Sequence, residues 1–284
     1  MARRASNSSA AVVALVSMPW VCPIVVSAQT DLYRERDRGG SGVASSQFGT
    51  FVERGELVVY PFYEYYRDRN FEYKPSELGF TGQSDYFGRY RAHEGLVFLA
   101  YGISSRLLVE VEAAVITARL ERDPTDTSGL PPSGLEQSGL GDVEAQLRYR
   151  WIEDAESAPE VFSYFESVFP FQRSKELIGT PTLELKYGMG VSRSSSAGTF
   201  TARAGLAYAD DAFELGEYAA EYVRGLGDRL RVYLGVEGTQ DEVELLTEAQ
   251  IFLRPSARLK VNSAFGLTEK AVGWAPEIGI MLVF

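Results

Sequence analysis

The chain is poor in the residues that build most metal and redox sites. Cys22 is its only cysteine and His93 its only histidine, and it has four methionines among 284 residues. Cys22 falls in a segment predicted to be removed, so the mature chain is expected to hold no disulfide and no thiolate metal site. Beyond the first 28 residues no stretch is apolar for the roughly 18 residues that a membrane-spanning helix needs. Mean hydropathy is −0.12. Basic residues are also short, 28 against 39 acidic, for a net charge of −11. That balance argues against nucleic acid as a partner and suits loops that face water.

Residues 1–28 read as a secretory signal. Arg3 and Arg4 form its basic start, Ala10 to Val26 is apolar, and Val26-Ser27-Ala28 before Gln29 has the small-residue pattern of a cleavage site. Pro19 and Pro23 interrupt the apolar run, which disfavours a transmembrane anchor. Val21 before Cys22 is too large for a lipoprotein site. Residues 29–55 are polar, with the run Arg34-Glu35-Arg36-Asp37-Arg38-Gly39-Gly40, and are expected to form a flexible periplasmic lead-in. Phe48 and Phe51 are its candidates for tucking into a barrel mouth.

What the chain has in quantity is 16 Tyr, 16 Phe and 27 Gly, together with period-two alternation. The last eleven residues show the pattern. Trp274, Pro276, Ile278, Ile280, Leu282 and Phe284 form one apolar parity set; Ala275, Glu277, Gly279, Met281 and Val283 form a smaller set with the only charge. Such alternation marks a strand with one greasy and one wet face. A buried C-terminal strand of a soluble β-sandwich is the competing reading.

From residue 56 the pattern repeats. Strands are expected at Glu56–Tyr66, with a bulge at Pro61, then Glu94–Ile103, Leu107–Arg119, Asp142–Ile152, Glu160–Pro170 and Pro181–Ser192. They continue at Thr199–Ala209, Gly216–Arg224, Arg229–Gly238, Val243–Leu253, Ala257–Leu267 and Trp274–Phe284. The register of the fifth is left open by aromatics on both faces. Twelve is an even number, as single-chain bacterial barrels require. Long expected connections at 67–93 and 120–141 contrast with tight ones at Ser104–Arg106, Gly225–Asp228 and Arg254–Ser256; the ninth, near Thr239–Glu242, is short too, so long outer loops and short periplasmic turns hold as a tendency. The fold expected is all-β: a closed antiparallel transmembrane barrel over residues 56–284.

Charge placement agrees with a membrane. An Arg facing lipid at mid-bilayer costs roughly 2–4 kcal/mol. Parity instead sends one polar set into the lumen: Glu110, Glu112, Glu144, Gln146, Arg148, Arg150, Glu184, Lys186, Arg203, Glu221, Arg231, Glu244, Glu248, Arg258 and Lys260. About twelve strands enclose a lumen between filled eight-strand barrels and open porins. Loop one carries Phe71, Tyr73, Phe80, Tyr86, Phe87 and Tyr90. That apolar surface is costly to leave in water, about 25 cal/mol per Å², so the loop is the candidate gate; the alternative is that the first two strands continue outward as a hairpin above the membrane.

Ser138-Gly139-Leu140-Gly141-Asp142-Val143, leading into Gln146-Leu147-Arg148-Tyr149-Arg150, resembles the Gly-Leu-Gly-Asp strand entry of the outer-membrane family named for the MetA pathway of phenol degradation. Tyr101-Gly102-Ile103-Ser104-Ser105-Arg106-Leu107 resembles the turn before that strand. Where the family often has Leu-Pro-Thr-Gly, this chain has Phe169-Pro170-Phe171-Gln172. The resemblance spans about residues 56–284. It implies an outer-membrane channel for small solutes, some relatives being linked to aromatic or hydrophobic compounds. Similarity to outer-membrane barrels also implies that assembly machinery reads Phe284 as the closing signal, with outer-membrane lipid as the other partner.

No cofactor, metal or enzymatic activity is expected. A barrel phospholipase would pair His93 with a nucleophilic Ser and an orienting Asn or Asp. Asn70 and Ser84 share its loop, but no such motif surrounds them, and a solvated loop histidine is expected. Asp123, Asp126 and Asp142 lack calcium-loop spacing. A non-conducting structural barrel is the alternative to a channel.

Overall fold

The computed structural model describes residues 52–153, 155, 158–195 and 197–284. The expected signal (1–28) and most of the lead-in (29–55), with Phe48 and Phe51, lie outside them. The strands are β1 (Leu57–Tyr73), β2 (Tyr86–Gly102), β3 (Leu107–Glu121), β4 (Leu135–Leu140), β5 (Val143–Ile152), β6 (Glu160–Phe169) and β7 (Glu184–Ser195). They continue as β8 (Gly198–Ala209), β9 (Ala212–Gly225), β10 (Leu230–Gly238), β11 (Val243–Arg254), β12 (Ala257–Gly266) and β13 (Ala275–Val283). All neighbours are antiparallel. β1 pairs with both β2 and β13, which closes the ring.

The thirteen strands make twelve staves. β3 pairs with β4 along its outer half (Val115↔Leu140 to Leu120↔Leu135) and with β5 along its lower half (Glu112↔Glu144 to Leu107↔Tyr149). β4 and β5 are therefore one stave broken at Gly141-Asp142. The break has its own chemistry. Gly141 N–H donates to Ala114 O at 2.9 Å, and the buried Asp142 carboxylate accepts from the backbone N–H of Phe171 and Thr180 at 3.2 and 2.5 Å. The Gly-Leu-Gly-Asp sequence is a corner that ties down the 170–183 loop.

Two further differences from the alternation have physical causes. The first stave does not stop at Tyr66. β1 and β2 run on as a hairpin, so of the six loop-one aromatics only Phe80 lies in the connection, beyond a single 3-10 turn at Pro75–Leu78. The outward residues there turn polar (Arg67, Arg69, Glu72), so the greasy face ends while the strand does not. Pro61 brings no register shift. It lacks an N–H, and pairing toward β13 simply skips from Val59↔Leu282 to Phe62↔Gly279. The bulge sits higher, between Asp68 and Phe71.

Outward faces form the apolar band that a bilayer needs. Tyr63, Val115, Leu147, Phe165, Tyr187, Met189, Phe200, Leu206, Leu234, Val261, Ile278 and Ile280 are all exposed, though each would be buried in a soluble fold. On β6 the burial pattern fixes the register, with Glu160, Phe162, Tyr164, Glu166 and Val168 inward. The β8–β9 connection is a two-residue hairpin, Asp210 and Asp211 having φ of 50° and 61°, the left-handed pair that such a loop demands; it lies at the same end as the β1–β2 connection, so the connections at that end are not all long.

Candidate functional site

The inner face of the barrel is the candidate site, and its two halves differ. From β5 round to β12 the inward side chains form a chain of ion pairs. Arg148 Nη2 meets Glu110 Oε2 at 3.4 Å and Gln146 Oε1 at 3.1 Å, and Gln146 Nε2 donates to Glu166 Oε2 at 2.7 Å. Arg150 Nε reaches Glu160 at 2.8 Å. Lys186 Nζ lies 2.8 Å from Glu166 and 3.1 Å from Glu217. Arg203 is a hub, touching Glu217 at 3.1 Å, Glu237 at 3.4 Å and Glu221 at 3.9 Å. Lys260 Nζ meets Glu248 at 3.0 Å. Glu244 lies higher, where it accepts from Val272 N–H at 3.2 Å, and Glu184 sits at the top of β7.

Aromatic rings of the inner face lie within cation–π distance of several of these cations. Lys260 Nζ is 4.3 Å from the Tyr60 ring centre, and Arg148 is 5.2 Å from that of Phe162. Arg231 and Arg258 share Phe252 at 5.3 and 5.2 Å. Each is within the range where a cation over a ring face is favourable. Glycine makes room for the rings: a Cβ on Gly188 would sit 2.2 Å from the Tyr164 ring, and one on Gly190 2.3 Å from Phe162.

The other wall is acidic. On β13, β1, β2 and β3 the inward carboxylates are Glu277, Glu64, Asp68, Glu94, Glu112 and Glu110, the last paired with Arg148; no inward basic residue stands on these four strands, and Lys260 of β12 is the cation beside Glu277. Register sets three of them in line: Glu64 is the direct cross-strand partner of Glu277 on one side and of Glu94 on the other. Tyr60 O–H donates to Glu277. Glu94 is buried, and its Oε2 has no hydrogen-bond partner among the described residues, as is also true of one oxygen each of Glu110 and Glu166 toward the paired wall. Glu144 on β5 stands beside Glu112. Alternation alone puts Glu64, Glu94 and Glu277 indoors; that they stand abreast depends on the register of the β1–β2 hairpin and of β1 against β13, at the far end of the chain.

At the outer end Tyr73, Leu120, Leu130, Leu177 and Ile178 are buried together, with Tyr66, Phe71, Phe80, Tyr86 and Tyr90 packed on them. Phe71 stacks on Tyr90 at 4.8 Å, and Tyr90 O–H donates to Leu177 O at 3.2 Å. Tyr73 O–H donates to Asp126 Oδ2 at 2.7 Å. Phe87 points away, exposed on the outside. At the other end residues 52–56 run beside the end of β2. Gly55 N–H donates to Gly102 O at 2.8 Å and Gly102 N–H to Glu56 O at 3.1 Å. Gly102 has no alternative there, because a Cβ would fall 1.9 Å from Glu53 O.

His93 is not in a loop. It lies on the outside of β2, its Nδ1 2.6 Å from the Tyr63 hydroxyl and its ring 5.0 Å from Tyr65. Phe284 is exposed at the periplasmic rim and exchanges two backbone hydrogen bonds with Leu57, at 2.9 and 3.1 Å.

A closed twelve-stave barrel with an apolar outer band and a charged inner face is an outer-membrane-type β-barrel, and solved structures agree. The chain matches an outer membrane channel from Pseudomonas putida F1 with a TM-score of 0.59 at 13% identity, over 84% of this chain and 99% of that one. The translocator domain of the autotransporter NalP from Neisseria meningitidis gives 0.53 at 11% identity, over 91% and 97%. No family model and no curated protein matches the chain. At such identities the likeness establishes the fold.

Proposed function

We propose that this chain is an outer-membrane channel for small solutes, with hydrophobic or aromatic compounds as the candidate cargo, and that it acts without catalysis. In this reading residues 1–28 export it, assembly machinery recognises Phe284, and the family resemblance in residues 101–107 and 138–150 reflects a shared transport role. The observation that carries it is the acidic wall. Like charges directly across a strand pair repel, and a buried carboxylate with no partner costs several kcal/mol in a dry interior. A barrel that was only a filled cylinder would gain by replacing Glu64 and Glu94 with apolar residues. A water-lined path along β13, β1, β2 and β3 relieves both costs. The apolar cluster under the outer hairpin then narrows the entrance, and its greasy surface suits a hydrophobic solute.

The paired wall favours a second reading, a non-conducting structural barrel, because Arg148, Arg203, Lys260 and Gln250 are almost wholly buried. Conductance of the refolded protein in planar bilayers separates the two. A channel along the acidic wall gives cation-preferring current, and Glu64→Gln with Glu94→Gln lowers that preference. Silent membranes, including with residues 74–85 deleted, would select the structural barrel.

A further inference from the structure

The outside of the barrel carries a charge cluster that the transport reading does not use. On β1 the outward residues run Leu57, Val59, Pro61, Tyr63 and Tyr65, then change abruptly to Arg67 and Arg69. The same change occurs on the next two staves, at Arg91 and Arg89 on β2 and at Arg119 on β3. The switch lies just past the aromatic rim made by Tyr63, Tyr65, His93 and Trp274, the depth at which a bilayer's headgroups begin.

Register makes the cluster unfavourable by itself. Arg67 is the direct partner of Arg91, and Arg91 of Arg119, so three guanidinium groups stand side by side on adjacent staves. Like charges placed so are destabilising. Glu121 answers Arg89 and Arg91 at 3.8 and 3.4 Å, and Glu136 answers Arg119 at 3.9 Å. All five of those side chains are solvent-exposed, where ion pairs are weak. Among the described residues no ion pair involves Arg67 or Arg69. Arg67, Arg69, Arg89 and Arg91, with Asp68, line a cleft of about 260 Å³. The Asp68 carboxylate belongs to the buried, inward parity of β1 and accepts from Asn70 N–H at 2.8 Å within the bulge.

We infer that this cleft binds a phosphomonoester on the headgroup of an outer-leaflet glycolipid. Guanidinium groups offer paired donors that match phosphate oxygens. An anion of two charges between Arg67 and Arg91 removes their mutual repulsion. The apolar strand face immediately below accepts the acyl chains of the same molecule, which a free phosphate does not have. The bulge between Asp68 and Phe71 turns β1 at this level and shapes the cleft. The inference rests on the membrane placement above, with the outer loops on the leaflet away from the periplasm, and not on conduction.

The test uses the full mature chain purified in detergent and native mass spectrometry with bisphosphorylated lipid A. The same lipid after phosphatase treatment, and inorganic phosphate, serve as separate probes. Expected is retention of the phosphorylated lipid by the parent protein and a loss of about tenfold or more in Arg67→Gln/Arg69→Gln/Arg91→Gln. Arg224→Gln, at the opposite rim, should retain it. Folding of each variant is read from the heat-dependent gel shift, and Arg67→Lys/Arg69→Lys, which keeps the charge, should retain part of the binding if the triple variant fails to fold. Equal retention by the triple variant would overturn the inference, as would equal binding of the dephosphorylated lipid. Inorganic phosphate binding as tightly as the lipid would assign the cleft to a free anion and overturn the lipid assignment. A silent barrel that still retains the phosphorylated lipid would count against the channel alone.

Discussion

Replacing Arg203 by Met tests whether the wall from β7 to β10 is dry. The guanidinium faces three carboxylates, of Glu217, Glu237 and Glu221, and its side chain is only 2% exposed. Lys186 also holds Glu217 at 3.1 Å, so Glu237, whose ion pair is with Arg203 at 3.4 Å, is the carboxylate most affected. Removing one partner of a buried ion pair costs about 3–5 kcal/mol, whereas a solvated pair contributes about 0–1 kcal/mol. The lower figure of the buried range is already more than a hundredfold in the folded-to-unfolded ratio. Urea unfolding of the barrel refolded in lipid vesicles measures it. Adding Glu237→Gln should recover a good part of the loss, because it removes one stranded charge and leaves a neutral amide of the same shape. A loss below about 1 kcal/mol, or no recovery in the double variant, would mean that water already solvates this wall, and the division of the lumen into a dry side and a wet side would fail.

Deleting Phe284 should slow insertion into outer membranes in vivo far more than folding into detergent micelles. The residue is half exposed and contributes only two backbone bonds to closure. Equal impairment in both assays would reduce it to a packing residue. The outer brace should weaken in acid. Burial works to raise the Asp126 carboxyl, but hydrogen bonds from Ser128 and from Tyr73 outweigh it and hold it below the ordinary range. A group lowered by folding stabilises above its unfolded value, near 4, and the stabilisation is lost as pH falls through the folded value. Hydrogen exchange over residues 122–134 should therefore rise below about pH 4 beyond its intrinsic trend, and Asp126→Asn should abolish that step; an unchanged profile in the variant would remove Asp126 from the brace.

Alternation made most of this barrel legible. On β5 the run from Val143 to Trp151 alternates so cleanly that parity alone separates lipid from lumen, and on β7, β10 and β12 it does the same within a few residues at each end. It fails where the membrane ends. β1 and β2 continue past Tyr66 because main-chain pairing does not require a greasy side, and above the headgroups Arg67 and Arg69 are as acceptable outward as Tyr63. β4 is hidden for the same reason: Leu135-Glu136-Gln137-Ser138 has no lipid to face. The interior was only half readable. Parity places a residue indoors, but which neighbour it meets depends on how twelve staves are offset, and that offset is set by turns and bulges. So Arg148 and Lys186 could be placed inside without their partners being known, and the alignment of Glu277, Glu64 and Glu94 emerged only with register.

The broken stave has a mechanical consequence. Below Gly141 each stave is laced to two neighbours by a hydrogen-bond ladder, and the cylinder has no seam. Above it, β4 is laced only to β3. Its far side meets the 170–183 loop through single contacts, Lys175 Nζ to Ser138 O at 2.6 Å and Leu177 N–H to Gln137 Oε1 at 2.9 Å. The sheet that rises above the barrel, β1 to β4, thus has two edges: β4, fastened by these contacts, and β1, whose pairing with β13 ends at Glu64↔Glu277 and the Arg67–Trp274 bridge. Freeing the β4 edge breaks a few separate bonds, while parting the sheet anywhere between β1, β2 and β3 breaks a ladder. Strain applied to the outer loops is released at these edges before the ladders, and on the β4 side Asp142 anchors the loop that forms the other lip.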